Sequence, residues 1–227
     1  MINDLINYEG VMVTLRTFEH LSELNDEVEF EGMDSNEVYL IENWRENIEK
    51  ILPIYTQIDV INNLRAMGVY EISANLKEGR TDLSLSQKKS ISHYLLSEER
   101  ICENAFSALI RYFSNLDKEE VYFYEELPEK LTKDNIGKYV EFDGVSFSTD
   151  VVEDHVLFQM AWRPDWDIEH GLNMLFYKEE VIMMGKEEIR LMLDYPASFF
   201  ANGTWSIGIM NDDEKLAFET VMNSLNC

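Results

Sequence analysis

The residues best suited to chemistry lie in one stretch, Met-Ala-Trp-Arg-Pro-Asp-Trp-Asp-Ile-Glu-His-Gly-Leu, from Met160 to Leu172. Asp165, Asp167 and Glu169 stand at every second position, and His170 and Gly171 follow directly. Alternating carboxylates in a turn suit a hard cation such as Ca²⁺ or Mg²⁺, which gathers several oxygens at short range. His170 extends the set Asp165, Asp167, Glu169 and His170 towards a transition metal. The fit to a calcium loop is incomplete. Gly171 falls one position late for that pattern, and no glutamate closes it. A structural use explains the same residues. Aspartates close turns through their own backbone, Gly171 supplies a positive φ, and Trp162 and Trp166 anchor the turn, each indole N–H needing an acceptor. A third use is a contact surface for a partner or substrate, made of Trp162, Trp166, Asp167, Glu169, His170 and Gly171. Residue types alone leave all three open. A divalent cation is the one cofactor they suggest; no other is expected.

Little else in the chain resembles reaction machinery. His20, His93 and His155 are scattered, and Ser146 and Ser206 lack the strand–turn–helix context that activates a serine. Cys102 and Cys227, the only cysteines, make neither a disulfide framework nor a metal pair. With no catalytic set in view, the chain reads as a binding protein more than an enzyme.

Charge narrows the partners. Against 19 Lys and Arg stand 44 Asp and Glu, a net charge of −25 spread along the chain rather than gathered in a tail. Such a field repels phosphate backbones and anionic membrane surfaces, so nucleic acid and membrane partners are not expected. It attracts a basic protein or a cation. Residues 1–10 lack the basic region and apolar run of a secretory signal, and no run approaches the length of a membrane span. A cytoplasmic location is therefore expected.

The elements that must position the turn follow from periodicity. Residues 11–18 have strand composition, and 28–30 suggest a second strand. Ile41, Trp44, Ile48 and Ile51 recur on one helical face, which Pro53 ends. A further helix over 55–67 closes at Gly68, and 69–72 suggest a short strand. The strongest signal lies over 84–115, with Ser84 or Ser86 as a first cap and a broad apolar stripe through Ile101, Ala105, Ala108, Leu109 and Tyr112. Ser97 followed by Glu98 and Glu99 reads as a second cap, which predicts an antiparallel helix pair or one bent helix. Residues 132–139 suggest a short helix. Strand patterns then succeed one another at 140–149, 155–162, 172–177, 180–184 and 204–210, and a helix capped by Asp212 or Asp213 closes the chain. Short connections mean antiparallel pairing. The fold class is α+β: a helical pair (84–115) on a C-terminal antiparallel sheet (140–210) with a closing C-terminal helix. Residues 1–80 form a mixed region that stands alone or joins 81–227 in one domain.

The run Trp166-Asp167-Ile168-Glu169-His170-Gly171-Leu172, with Met183-Met184-Gly185 after it, resembles a bacterial family of uncharacterised domains carrying a Trp-Asp-x-Glu-His-Gly-apolar signature. The helical stretch Ser86-Gln87, Tyr94-Leu95-Leu96, Ile101, Ala108-Leu109 and Tyr112 is similar to the helices that precede it there. The resemblance covers residues 84–185. It implies no chemistry of its own. Such domains occur near polymorphic-toxin loci, where small acidic proteins neutralise toxins, and this implies an immunity-type protein that occludes a basic toxin or effector. A metal-binding or metal-dependent hydrolytic domain is the alternative.

Overall fold

The computed structural model describes residues 5–8, 11–17, 33–55, 58–116, 127–167, 171–185 and 210–225. They build one seven-stranded sheet whose strands follow chain order. The strands are β1 (Ile6–Tyr8), β2 (Val11–Thr17), β3 (Val69–Asn75), β4 (Val140–Val152), β5 (His155–Pro164), β6 (Leu172–Tyr177) and β7 (Glu180–Gly185). Every neighbouring pair is antiparallel except β3 and β4, which run parallel with Ile72 opposite Val145. A parallel pair needs a long crossover. The helices are α1 (Ser35–Glu42), α2 (Trp44–Ile51), α3 (Ile58–Ala66), α4 (Leu85–Asn115) and α5 (Asp212–Leu225), and α4 is that crossover.

Of the two expectations over 84–115, an antiparallel helix pair or one bent helix, the structure holds a single helix of 31 residues and no pair. Ser84 does cap it, in a reciprocal box with Gln87. At Ser97, however, neither Gly nor Pro breaks the chain, so the helix runs on. Glu98, read as a first-turn acid, instead accepts a 2.7 Å hydrogen bond from the Tyr70 hydroxyl. The expected sheet over 140–210 is also corrected. Three strands from residues 6–75 extend it, and its described C-terminal strands end at Gly185. The expected strand at 28–30, and all of the one at 204–210 except Met210, lie outside the described residues. Residues 132–139 hold only a short 3-10 turn, Ile136–Lys138. Asp212 and Asp213 stand in the first turn of α5, and the reciprocal bonds before them run between Asn211 and Glu214.

Alternation along the strands assigns two faces. One carries Ile72, Phe147, Phe158, Met160, Trp162, Met174 and Phe176, packed under α4. Ala105 and Ala108, both fully buried, let that helix lie close. Phe158 stacks on Phe176 with ring centroids 5.0 Å apart, and Tyr94 meets Phe158 edge-on at 5.6 Å. The opposite face has two separate apolar patches. Leu15 and Val69 pack with Ile41, Trp44, Ile51, Val60 and Leu64 of α1–α3. Leu157, Leu175, Tyr177, Ile182 and Met183 pack with Ala217 and Val221 of α5. Between these patches the sheet surface turns polar. Among the described residues no helix is long and apolar enough to cross a membrane.

Candidate functional site

The polar strip is made by register. Ser73 stands opposite Ser146, and Ser146 opposite Gln159, giving one row across β3, β4 and β5. The next row runs Glu71, Gly144, Ala161, Asn173 across β3 to β6. Its two central residues are small, so the floor is recessed there and rimmed by polar side chains. The result is a cleft of about 450 Å³. Its wall comes from α3, where Ile61 and Arg65 are four residues apart and share a helical face. Arg65 pairs with Asp143, which stands at a register shift in β4 between Phe142 and Gly144.

Gly144 is required by this geometry. A Cβ there would sit 2.7 Å from the Glu71 carbonyl oxygen. Gln159, 4% exposed, donates from Nε2 to Asn173 Oδ1 at 2.6 Å. Its other polar atom, Oε1, is buried and has no hydrogen-bond donor among the described residues. Burial, and next the Glu71 carboxylate, push the Tyr55 hydroxyl well above its usual range, so it remains a neutral group at the cleft edge. Arg163 from β5 completes the charged set.

The turn singled out by sequence borders this cleft. Gly171 lines it with φ +64°, and a Cβ there would stand 3.1 Å from the Trp162 carbonyl oxygen. The turn closes through backbone bonds, Asp167 N–H to Pro164 O and Gly171 N–H to Asp167 O, both 3.0 Å. Asp165 N–H reaches Tyr139 O at 2.9 Å. Trp162 and Trp166 point away from the cleft into the core under α4. Trp162 meets Phe142 at 4.6 Å and Phe106 at 5.9 Å, and Trp166 meets Phe113 at 4.9 Å. Asp165 and Asp167 are half-buried, and burial, then Glu141, raise the Asp165 carboxyl. Glu169 and His170 lie outside the described residues. Of the expected ligand set, the described residues therefore place Asp165 and Asp167, and among them no three His, Cys, Asp or Glu side chains gather as a metal site.

The remaining sequence candidates fall elsewhere. Burial raises the Cys102 thiol far above its ordinary range, so it stays protonated. His93 of α4 and His155, the first residue of β5, meet edge-on at 5.6 Å. His93 faces Glu179 at 3.4 Å, and His155 Nδ1 lies 2.7 Å from Asp154 Oδ1. Burial lowers the His155 pKa despite that carboxylate. The unfolded chain then binds the proton more tightly than the folded one. Stability is fully present above the ordinary imidazole pKa and falls as pH drops below about 6.5. Asp154 acts in a separate, lower window, because hydrogen bonds from Lys89 and His155 hold its pKa at about 2. Thermal melting between about pH 7 and pH 5 is expected to show a decline that His155→Gln flattens; an unchanged slope in that variant would remove His155 as its source.

The polar residues of the cleft floor, Ser73, Gln159 and Asn173, were missed because each is an isolated polar letter in a strand. The available signal was Gln159 within His155–Pro164 and Asn173 within Leu172–Tyr177. Both positions alternate with core residues, and so both belong to the face away from α4.

A family model described as a domain of unknown function, DUF6985, matches residues 66–192. The match takes in the cleft floor from β3 to β6, while Tyr55, Ile61 and Arg65 precede it. Neither the curated proteins nor the solved structures hold a match.

Proposed function

The chain belongs to the DUF6985 family, and on that premise we propose that it is an acidic docking protein, of immunity type, that occludes a basic protein such as a toxin or effector. The observation that carries this reading is the net charge of −25. Its geometry adds a place of concentrated field. Of the acids in the first turn of α5, Asp213 and Glu214 act on Glu180, the first residue of β7. The Glu180 carboxyl is raised by burial first, then by Asp213 and Glu214. Glu214 is buried against Arg111, but Glu180 and Asp213 repel each other and gain when a partner's Lys or Arg side chain arrives between them. Such a surface also steers a basic partner into encounter, an effect that salt weakens.

The test uses the full chain as bait in low salt against proteins of its native host. A basic protein is expected to bind and to release as salt is raised. Glu180→Gln with Asp212→Asn and Asp213→Asn is expected to slow its association about tenfold while leaving dissociation nearly unchanged. Retention of no basic protein, or an association rate indifferent to both salt and these substitutions, ends the reading.

A further inference from the structure

We infer that the recess on the sheet floor binds a neutral, polyhydroxylated small molecule of saccharide type. This site is separate from the acidic ridge at α5, and nothing in the docking reading requires it.

A sheet face lying between two helical covers ordinarily carries apolar side chains, as this one does at Leu15 and Val69 and again at Leu157 and Leu175. The strip between them is polar and concave instead. Gly144 and Ala161 hollow it, and Ser73, Ser146, Gln159 and Asn173 border the hollow. Packing does not call for these types. Nor is the set satisfied internally. Gln159 is 4% exposed, one end of its carboxamide is used by Asn173, and the buried Oε1 has no donor among the described residues. A buried acceptor without a donor is costly, and Gln159, which lines the recess, gains by turning that oxygen to a ligand with a hydrogen to give.

The charge of the recess selects among such ligands. Arg65 and Arg163 balance Glu71 and Asp143, so the recess is locally neutral on a chain of net charge −25. A simple cation or anion meets a like charge for each opposite one. A neutral ligand does not. The lining also mixes roles. Serine hydroxyls and carboxamides both donate and accept, carboxylates only accept, and guanidinium groups only donate. Hydroxyl groups, which donate and accept at once, match every one of them. Planar carboxamide, carboxylate and guanidinium groups can also meet neighbouring hydroxyls two at a time. Ile61 and Ala161 offer apolar surface to the C–H side of such a ring. The volume, about 450 Å³, falls in the range of small-molecule clefts, roughly 300–1,000 Å³.

Saturation-transfer NMR on the full chain with glucose, galactose, N-acetylglucosamine and maltose tests this, followed by calorimetry on any sugar that responds. At least one is expected to receive saturation. Its affinity is expected to fall about tenfold in Ser146→Ala, the loss of one good hydrogen bond, and to vanish in Ala161→Leu, which fills the hollow. Both positions are half-buried, and melting curves verify that each variant is folded; should Ala161→Leu not fold, Ser146→Ala decides alone. No response from any of the four sugars overturns the inference. So does a sugar that binds the folded variants as tightly as the parent chain, or glucosamine binding far more tightly than glucose.

Discussion

Trp162→Ala is expected to cost about 3–5 kcal/mol of unfolding free energy, read as a lower urea midpoint at unchanged slope. A domain of ordinary stability has only about 5–15 kcal/mol in total, so this one change brings the chain near its limit. The expectation rests on where the indole sits. It is 1% exposed, and it lies between Phe142 of β4 and Phe106 of α4 with ring centroids at 4.6 and 5.9 Å. Truncation removes the aromatic contacts and leaves a cavity under the centre of α4, where closely packed neighbours can relax only in part. Trp162→Phe keeps one ring and is expected to cost less than half as much. The consequence reaches the opposite face of the sheet. Ala161 and Arg163, either side of Trp162 in β5, line the cleft, and the Trp162 carbonyl is the group that Gly171 approaches. Amide exchange in β5 and β6 is therefore expected to rise with the substitution. A midpoint shift matching less than about 1 kcal/mol would mean that the core closes over the gap.

The tryptophans also show how far residue patterns carry. Their role as anchors followed from type, because a large apolar ring with one donor belongs in a core beside a strand. The α4 stripe was readable because apolar residues at helical spacing with Ala105 and Ala108 among them demand a sheet beneath. Hairpins from β4 to β7 were readable because short turns leave antiparallel pairing as the only option. Pairing between distant segments was not. Nothing local in Val69–Asn75 names Val140–Val152 as its parallel neighbour, and Ile6–Tyr8 is too short to carry a period. The cleft went unseen for the same reason. Ser73, Ser146 and Gln159 become one row only through the register of three strands. The Ser97 signal misled because a local cap preference is worth about 1 kcal/mol, and the continuous buried face from Ile91 to Phe113 outweighs it.

The second large effect concerns the join between α4 and α5, on which the acidic ridge depends. Glu214 is 1% exposed and pairs with Arg111. Its other oxygen accepts the Asn211 backbone N–H at 2.8 Å, while Asn211 Oδ1 accepts the Glu214 N–H at 2.9 Å. The same carboxylate thus closes the start of α5 and ties it to α4. Arg111→Met leaves that carboxylate buried without its cation, and a loss of about 3 kcal/mol is expected. Glu214→Gln is milder, about 1 kcal/mol, since the half-exposed guanidinium can turn to water and the amide can still accept from Asn211. The double variant is expected to recover much of the Arg111→Met loss, which makes the coupling visible in a double-mutant cycle. Additive losses would instead mean that water already screens the pair. Because Asp212 and Asp213 ride on the first turn of α5, Arg111→Met is also expected to slow association with a basic partner although it makes the chain more acidic. Charge alone predicts the opposite sign, so the direction of that one rate change separates a positioned acidic ridge from mere net charge.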